Sequence, residues 1–317
     1  MGGNVDTALL LIRTPLQARI ALEILSRGNI ADYELLYFSQ HGASADSVAF
    51  QSLAGSSRRA IFIRAPARAG YVRRTASFAR QSRRATRGRR YNLTIFASLD
   101  EFVFSSLAVR KKGRVITFDD GFANLNYSGS FYRESLSRRA ETYRFLLGAP
   151  RLQELKRNIW VHYTIFPNCE NVVERGRLRE ITIWQPPVSK VLTGRCKKYF
   201  VGQPFAKYLD RDEVDMVRTI AEGFFPDFYL THPMEVEPLL PKVPLMETRG
   251  LLAEDAILRE VSSSAVHVIG GVSTVLFNLA ILGIRVTMIS PKFLLRDETL
   301  RVAERLGVEV LLFDLVD

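Results

Sequence analysis

Two adjacent carboxylates, a histidine fixed before a proline, and a glycine pair running into two hydroxyls are the residues here whose types and spacing could do chemistry. Asp119 and Asp120 stand before Gly121, at the end of the apolar run Val115 to Phe118. Paired carboxylates repel as anions and lose solvation when partly buried, which can raise one pKa toward neutrality and make a general base for a hydroxyl. Asp-Asp-Gly is equally an ordinary turn. Thr231-His232-Pro233 follows a second apolar run. Proline biases the residue before it toward extended geometry, so the imidazole is held at the mouth of a strand, where it could donate to a leaving phosphate; a lone histidine is as readily structural. Gly270-Gly271-Val272-Ser273-Thr274 joins a buried strand to a helix. Glycines permit close backbone approach and a helix start offers free amides, a phosphate site in outline, although Ser273 also reads as a plain N-cap. Gly202 and Gln203, before Pro204, form a weaker fourth element whose simplest reading is a turn. His267 lies inside an apolar strand and reads as core, and nothing around His41 or His162 singles them out.

The elements that must position these residues alternate. Ala8 to Ile12 reads as a strand, Thr14 as a cap, Pro15 as a first helical residue, and Leu16 to Ser26 as an amphipathic helix closed by Gly28. Strands follow at Glu34 to Phe38, Ala60 to Ile63, Leu93 to Phe96 and Val115 to Phe118, with a helix over Leu99 to Val109, a helical stretch from 130 to 157, and strands at Trp160 to Phe166 and Ile181 to Trp184. Pro186 and Pro187 mark a boundary. Beyond it come strands at Tyr199 to Val201, Asp227 to Leu230, Ala265 to Ile269 and Arg285 to Ile289, and helices at Arg211 to Glu222, Ala253 to Val261 and Ser273 to Leu282. Strand-helix alternation implies two mainly parallel α/β domains, residues 1–187 and 188–317, with ligands expected at the carboxyl ends of the strands.

Composition narrows the function classes. With 317 residues, 47% of them hydrophobic and 24% charged, the chain can bury a sizeable core, and global disorder is excluded. Its longest apolar runs are too short to span a bilayer, the N-terminus lacks the basic segment of a signal peptide, and Asp6 stands where an N-myristoylation motif at Gly2 would need Ser or Thr. Two cysteines and four histidines show no zinc spacing, and a reducing cytoplasm fits. Between Ser47 and Leu99 there are 12 arginines and no acidic residue, against a whole-chain net charge of +11. A patch from Arg58 to Arg90 can attract nucleic acid, anionic lipid or an anionic substrate, and its plain reading is a solvated, partly mobile loop. Nucleic acid is disfavoured, because no aromatic platform accompanies the arginines.

Taken in order, Asp119-Asp120-Gly121, His232-Pro233 and Ser273-Thr274 after glycines resemble the marks of the bacterial sialyltransferases, in particular the lipooligosaccharide sialyltransferase family, glycosyltransferase family 52. The resemblance implies an α/β fold of two Rossmann-like domains facing a cleft (GT-B type), with an acceptor-side domain 1–187 and a nucleotide-sugar domain 188–317. It implies inverting, metal-independent transfer of sialic acid from CMP-sialic acid to a hydroxyl of a cell-surface glycan, of lipooligosaccharide or capsule type, with no cofactor and no metal site. Asp119 would be the base and Asp120 its support. His232 would serve the leaving CMP phosphate, with Gly202, Gln203, Thr231, Pro233, Gly270, Gly271, Ser273 and Thr274 around the nucleotide. Some relatives carry the acid nearer the His-Pro motif, which makes Asp210 or Asp212 the alternative. Partners expected are the nucleotide sugar, a glycan or glycolipid acceptor, an anionic membrane surface met by Arg58 to Arg90, and room for a homodimer; the place expected is the bacterial cytoplasm, peripheral to its membrane. Competing readings are another CMP-nonulosonate or a glucosyl donor and, from a different class, a basic nucleic-acid or membrane-surface binder without catalysis.

Overall fold

The computed structural model describes residues 7–314 apart from 41, 43, 66–69, 134, 187–194 and 262–263. Gly2, Asp6, His41, Arg68 and Pro187, singled out above, lie outside the described residues. The chain divides into two compact units, Met1–Ile183 and Trp184–Asp317.

The first unit runs β1 (Ala8–Ile12), α1 (Pro15–Arg27), β2 (Tyr33–Ser39), α2 (Ser44–Ala54), β3 (Arg59–Arg64), α3 (Tyr71–Ala85), β4 (Leu93–Phe96), α4 (Phe102–Lys111), β5 (Arg114–Phe118), α5 (Arg138–Leu147), α6 (Leu152–Asn158), β6 (Ile159–Thr164) and β7 (Leu178–Glu180). Among the described residues its strands form one parallel sheet in the order β3-β2-β1-β4-β5-β6-β7. All five residues of β1 are buried, as expected of a central parallel strand covered by helices on both faces. The Thr14 hydroxyl accepts the Gln17 amide at 3.2 Å and Pro15 takes the first turn, so α1 starts where its sequence directs. Under the sheet Phe38 meets Phe78 edge-on at 4.9 Å, an aromatic contact worth about 0.5–1.5 kcal/mol beyond its burial.

Four expectations need correction. The arginine-rich stretch is not a loop: besides the expected strand, β3, it supplies the 15-residue α3, because arginine is a good helix former and Thr75, Phe78, Ala79 and Ser82 recur at helical spacing as a buried stripe. The stretch from 130 to 157 is two helices, broken where Gly148 takes a left-handed φ of 65° ahead of Pro150. Ile181 to Trp184 is not a strand; pairing ends at Glu180, and Ile181, Ile183 and Trp184 are apolar because they are buried beyond it. Helix α4 begins at Phe102, three residues later than its apolar pattern implied, since Glu101 caps it.

The second unit runs β8 (Lys197–Val201), α7 (Arg211–Gly223), β9 (Phe228–Leu230), α8 (Ala253–Val261), β10 (Val266–Gly270), α9 (Thr274–Ala280), β11 (Arg285–Pro291), α10 (Asp297–Arg305) and β12 (Glu309–Phe313). Its parallel sheet has the order β12-β11-β10-β8-β9. The core gathers Phe200, Tyr229, Ile269 and Ile289. The chain leaves β8 for one edge and returns to β10 on the other side, which opens a crevice at the carboxyl ends of these strands, the usual ligand position of an open α/β sheet.

Candidate active site

In the first unit the site residues leave the carboxyl ends of β1, β4 and β5, three neighbouring strands. Asp119 is 0% exposed. Its Oδ2 accepts from the Thr164 hydroxyl and the Ile165 amide, both at 2.7 Å, and its Oδ1 lies 3.0 Å from His162 Nε2 and accepts from Asn171 Nδ2 at 3.3 Å. His162 is equally buried and its Nδ1 lies 2.8 Å from the Thr117 hydroxyl. Asp119 is thus satisfied inside the protein and shows no oxygen to an incoming hydroxyl. The expected order of the pair is reversed by this burial: Asp120 is the partly exposed member. Its Oδ1 accepts from Gln17 Nε2 at 2.7 Å and its Oδ2 from the Ser98 hydroxyl at 2.8 Å. Burial pushes its pKa up, and the positive charge of Arg13 and those two hydrogen bonds only partly oppose it. Arg13 also lies 3.5 Å from Glu101. The Asp120 amide donates to Asn124 Oδ1 at 2.7 Å, so the buried network fixes the backbone that carries the partly exposed carboxylate.

In the second unit three motifs leave one row of the sheet, since Val201 pairs with Gly270 on one side and Leu230 on the other. His232 is half-buried and its Nδ1 accepts the Met234 amide at 3.1 Å, which places the proton of a neutral ring on Nε2. Glu235 Oε2 accepts the His232 amide at 3.1 Å, and Glu235 Oε1 accepts the Tyr229 hydroxyl at 2.5 Å. Burial raises the Glu235 pKa. Beside them Gly202 has no room for a side chain: a Cβ there would overlap the Glu235 carboxylate and the Tyr229 hydroxyl. Gln203 Nε2 donates to the Val272 carbonyl at 2.5 Å and packs over Gly271, which joins the loop after β8 to the loop after β10. Thr231 and Pro233 are exposed, and Thr274 opens α9 with Ser273 as its N-cap, the Ser273 hydroxyl accepting the Val275 amide at 3.3 Å. Asp210 is exposed and caps α7 in a reciprocal pair with Glu213, and Asp212 lies in the first turn of that helix.

Gly202, Gln203, His232, Gly270 and Gly271 therefore share one edge, as their positions after apolar runs implied. Sequence reasoning missed Arg13, Gln17, Ser98, Asn124, His162, Asn171 and Glu235. The T-x-x-Q spacing of Thr14 and Gln17 marks a helix start. No local signal shows that the Gln17 amide turns to Ser98 and Asp120. Among the described residues no group of three or more His, Cys, Asp or Glu side chains is placed to hold a metal ion.

Residues 48–292 of the 317 match the sequence profile of glycosyltransferase family 52. The chain belongs to glycosyltransferase family 52. It is 25% identical over 164 residues to an N-acetyllactosaminide alpha-2,3-sialyltransferase of Haemophilus influenzae, covering 51% of this chain and 52% of that one. It is 29% identical over 147 residues to a CMP-N-acetylneuraminate:beta-galactoside alpha-2,3-sialyltransferase of Pasteurella multocida, covering 45% and 46%. The family 52 chain thus spans about half the length of the relatives it matches. Its fold is that of GT-B glycosyltransferases: SnogD from Streptomyces nogalater superposes with a TM-score of 0.58 at 15% identity, over 97% of this chain and 87% of that one. A UDP-GlcNAc 2-epimerase from Neisseria meningitidis superposes at 0.59 and 11%, over 97% and 88%. At such identities the likeness is one of fold alone.

Proposed function

We propose that this family 52 chain transfers sialic acid from CMP-sialic acid to a hydroxyl of a cell-surface glycan or glycolipid, with inversion and without a metal ion, in the bacterial cytoplasm. The observation that carries the reading is the convergence of Gly202-Gln203, Thr231-His232-Pro233 and Gly270 to Thr274 on the carboxyl ends of three adjacent strands in a family 52 chain. In this reading the acceptor hydroxyl attacks the anomeric carbon of the donor as the bond from that carbon to the CMP phosphate oxygen breaks. His232, with its proton on Nε2, donates to that oxygen, and the hydroxyls of Ser273 and Thr274 bind the same phosphate. Donors fixed before charge develops need no reorganisation as it appears, which is where such a site gains its rate. We assign acceptance of the hydroxyl proton to Asp120, whose raised pKa suits a base. Asp119 holds the loop. Asp210 is the alternative carboxylate, and its capping of α7 already accounts for it structurally.

Nucleotide preference tests the donor. A ligand bound only by the folded state raises its melting temperature by mass action. CMP and CMP-sialic acid should raise it and UDP and GDP should not; preference for a uridine nucleotide would end the CMP assignment and favour a different sugar donor. Transfer that EDTA abolishes and magnesium restores would end the metal-independent reading.

A further inference from the structure

Six of the arginines between Arg58 and Arg90 fall into two groups on the fold. Arg58 pairs with Asp32, and Arg59 and Arg89 pair with Glu34, so these serve the fold. Arg73, Arg80 and Arg84 are exposed and, among the described residues, none has a carboxylate partner. They lie seven and then four residues apart on α3, opposite the buried Thr75, Phe78, Ala79 and Ser82, and therefore form one stripe along the solvent side of the helix. Helix α3 contains no acidic residue, and Arg80 repels Arg84 at i,i+4. A row of like charges kept without counter-charges is matched by a surface that supplies them.

Apolar side chains lie beside this stripe. The crossovers from β3 to β4, β4 to β5 and β5 to β6 all run the same way across the sheet, which puts α3, α4 and α5 on one face, and α3 packs on α4 as α4 does on α5. The Leu147 carbonyl at the end of α5 accepts from Arg83 of α3 at 3.1 Å and from Ser106 and Arg110 of α4 at 2.6 and 3.2 Å, so the three helices meet there. The two residues before it, Phe145 and Leu146, are 76% and 67% exposed, and α5 buries no residue of its own. The helix also lines a cavity of about 820 Å³ whose walls carry Arg133, Arg144, Arg151 and Arg157 together with Glu141 and Glu154, Arg144 being paired with Glu141; the lining is net positive, with room for a phosphate headgroup.

We propose that the outer face of α3, α4 and α5 docks on an anionic lipid bilayer, Phe145 and Leu146 entering the interface and Arg73, Arg80 and Arg84 meeting lipid phosphates. Cations without counter-ions beside an adjacent apolar pair match a surface that is anionic outside and apolar just beneath. A nucleic acid would use the arginines and leave the apolar pair in water. The inference is independent of the transferase reading.

Vesicle sedimentation of the full chain tests it, with mixed phosphatidylethanolamine–phosphatidylglycerol vesicles against phosphatidylcholine alone. The parent should bind the first and not the second. R73Q/R80Q/R84Q should weaken binding by roughly fivefold per arginine, on the order of a hundredfold in all, at low salt and by less at high salt. F145S/L146S should weaken it by about tenfold or more at either salt. Unchanged melting temperatures check that both variants fold, and R80Q and F145S alone repeat the test with less change. No binding of the parent at low salt, variants that bind like the parent, or tight binding of single-stranded RNA that F145S/L146S leaves untouched while vesicles are ignored would each overturn the proposal.

Discussion

At the carboxyl edge of the first sheet the paired acids are held by side chains from distant stretches of chain, Gln17, Ser98, His162 and Asn171, with Asn124 one turn away, whereas at the same edge of the second sheet the work is done within the motifs, by Gly202, Gln203, Gly270 and Gly271 and the backbone amides around His232. Long-range side-chain networks fix a charged group rigidly. Glycines instead let the loops close on the protein's own side chains, Gly202 on Glu235 and Tyr229 and Gly271 on Gln203. Under the proposed function one unit presents a base and the other receives a phosphate, and each substitution below strains one side of that division.

The largest effects fall on the reacting groups. His232→Ala should lower kcat for transfer by roughly 10²- to 10⁴-fold and also weaken CMP binding. Asp120→Asn should lower transfer by a similar factor while CMP binding stays near that of the parent. The Asp120 pKa is raised in the folded state, so the folded chain takes up its proton more readily than the unfolded one; the stability this gives is full below the unfolded pKa and is lost as pH rises through the folded one. At neutral pH Asp120→Asn should therefore melt higher than the parent while failing to transfer, and the acid limb of the parent's pH profile should lie above the ordinary aspartate range. Asp210→Asn decides between the candidates. If it abolishes transfer in a folded chain while Asp120→Asn retains it, the base sits beside the His-Pro motif.

Next in size is the buried carboxylate. Asp119→Ala strips the Thr164 hydroxyl, the Ile165 amide and the Asn171 amide of their acceptor, each loss costing about 1–3 kcal/mol, so a stability loss on the order of 3 kcal/mol or more is expected in chemical denaturation. A melting temperature like the parent's would show that Asp119 is not the keystone. The same residue shows how far the sequence could be read. Strands such as Ala8–Ile12, and the turns after strands such as Val266–Gly270, were legible because burial on both faces writes a continuous apolar run and turns write glycine and proline. Which of two adjacent aspartates points inward depends on partners more than 40 residues away, His162, Thr164 and Asn171, and no local pattern carries that. Helix α3 was hidden for another reason: arginines on three sides masked the four-residue buried stripe that fixes it.

Glycine substitutions probe the second unit with a smaller effect. Gly202→Ala forces a methyl onto the Tyr229 ring, which is packed and cannot swing away, at a cost of about 1–3 kcal/mol, and it displaces Glu235 from the His232 amide. Gly271→Ala meets the end of the Gln203 side chain, which can move, and the packed Phe205 ring at 2.8 Å, a shallower overlap than the 2.5 Å to the Tyr229 hydroxyl at Gly202, so stability should fall by less than in Gly202→Ala while CMP binding suffers from the lost Gln203 contact to Val272. Denaturation and calorimetric titration with CMP, run on both variants, separate the two. Equal losses of stability would mean that the two loops are alike in rigidity.

The smallest effect separates two uses of one hydroxyl. Ser273 caps α9 through the Val275 amide, and removing such a cap costs about 1 kcal/mol, so Ser273→Ala should lower stability by that amount whether or not the residue meets a ligand. Aspartate caps a helix as well as serine does, so Ser273→Asp should return the stability. It also puts a negative charge where the phosphate is expected, and like charges in a half-buried loop repel. A site that holds the CMP phosphate must therefore lose affinity in Ser273→Asp well beyond the loss in Ser273→Ala, with the difference growing at low salt. If Ser273→Asp binds CMP as the parent does, Ser273 is a cap and nothing more, and the phosphate rests on the loops after β8 and β9.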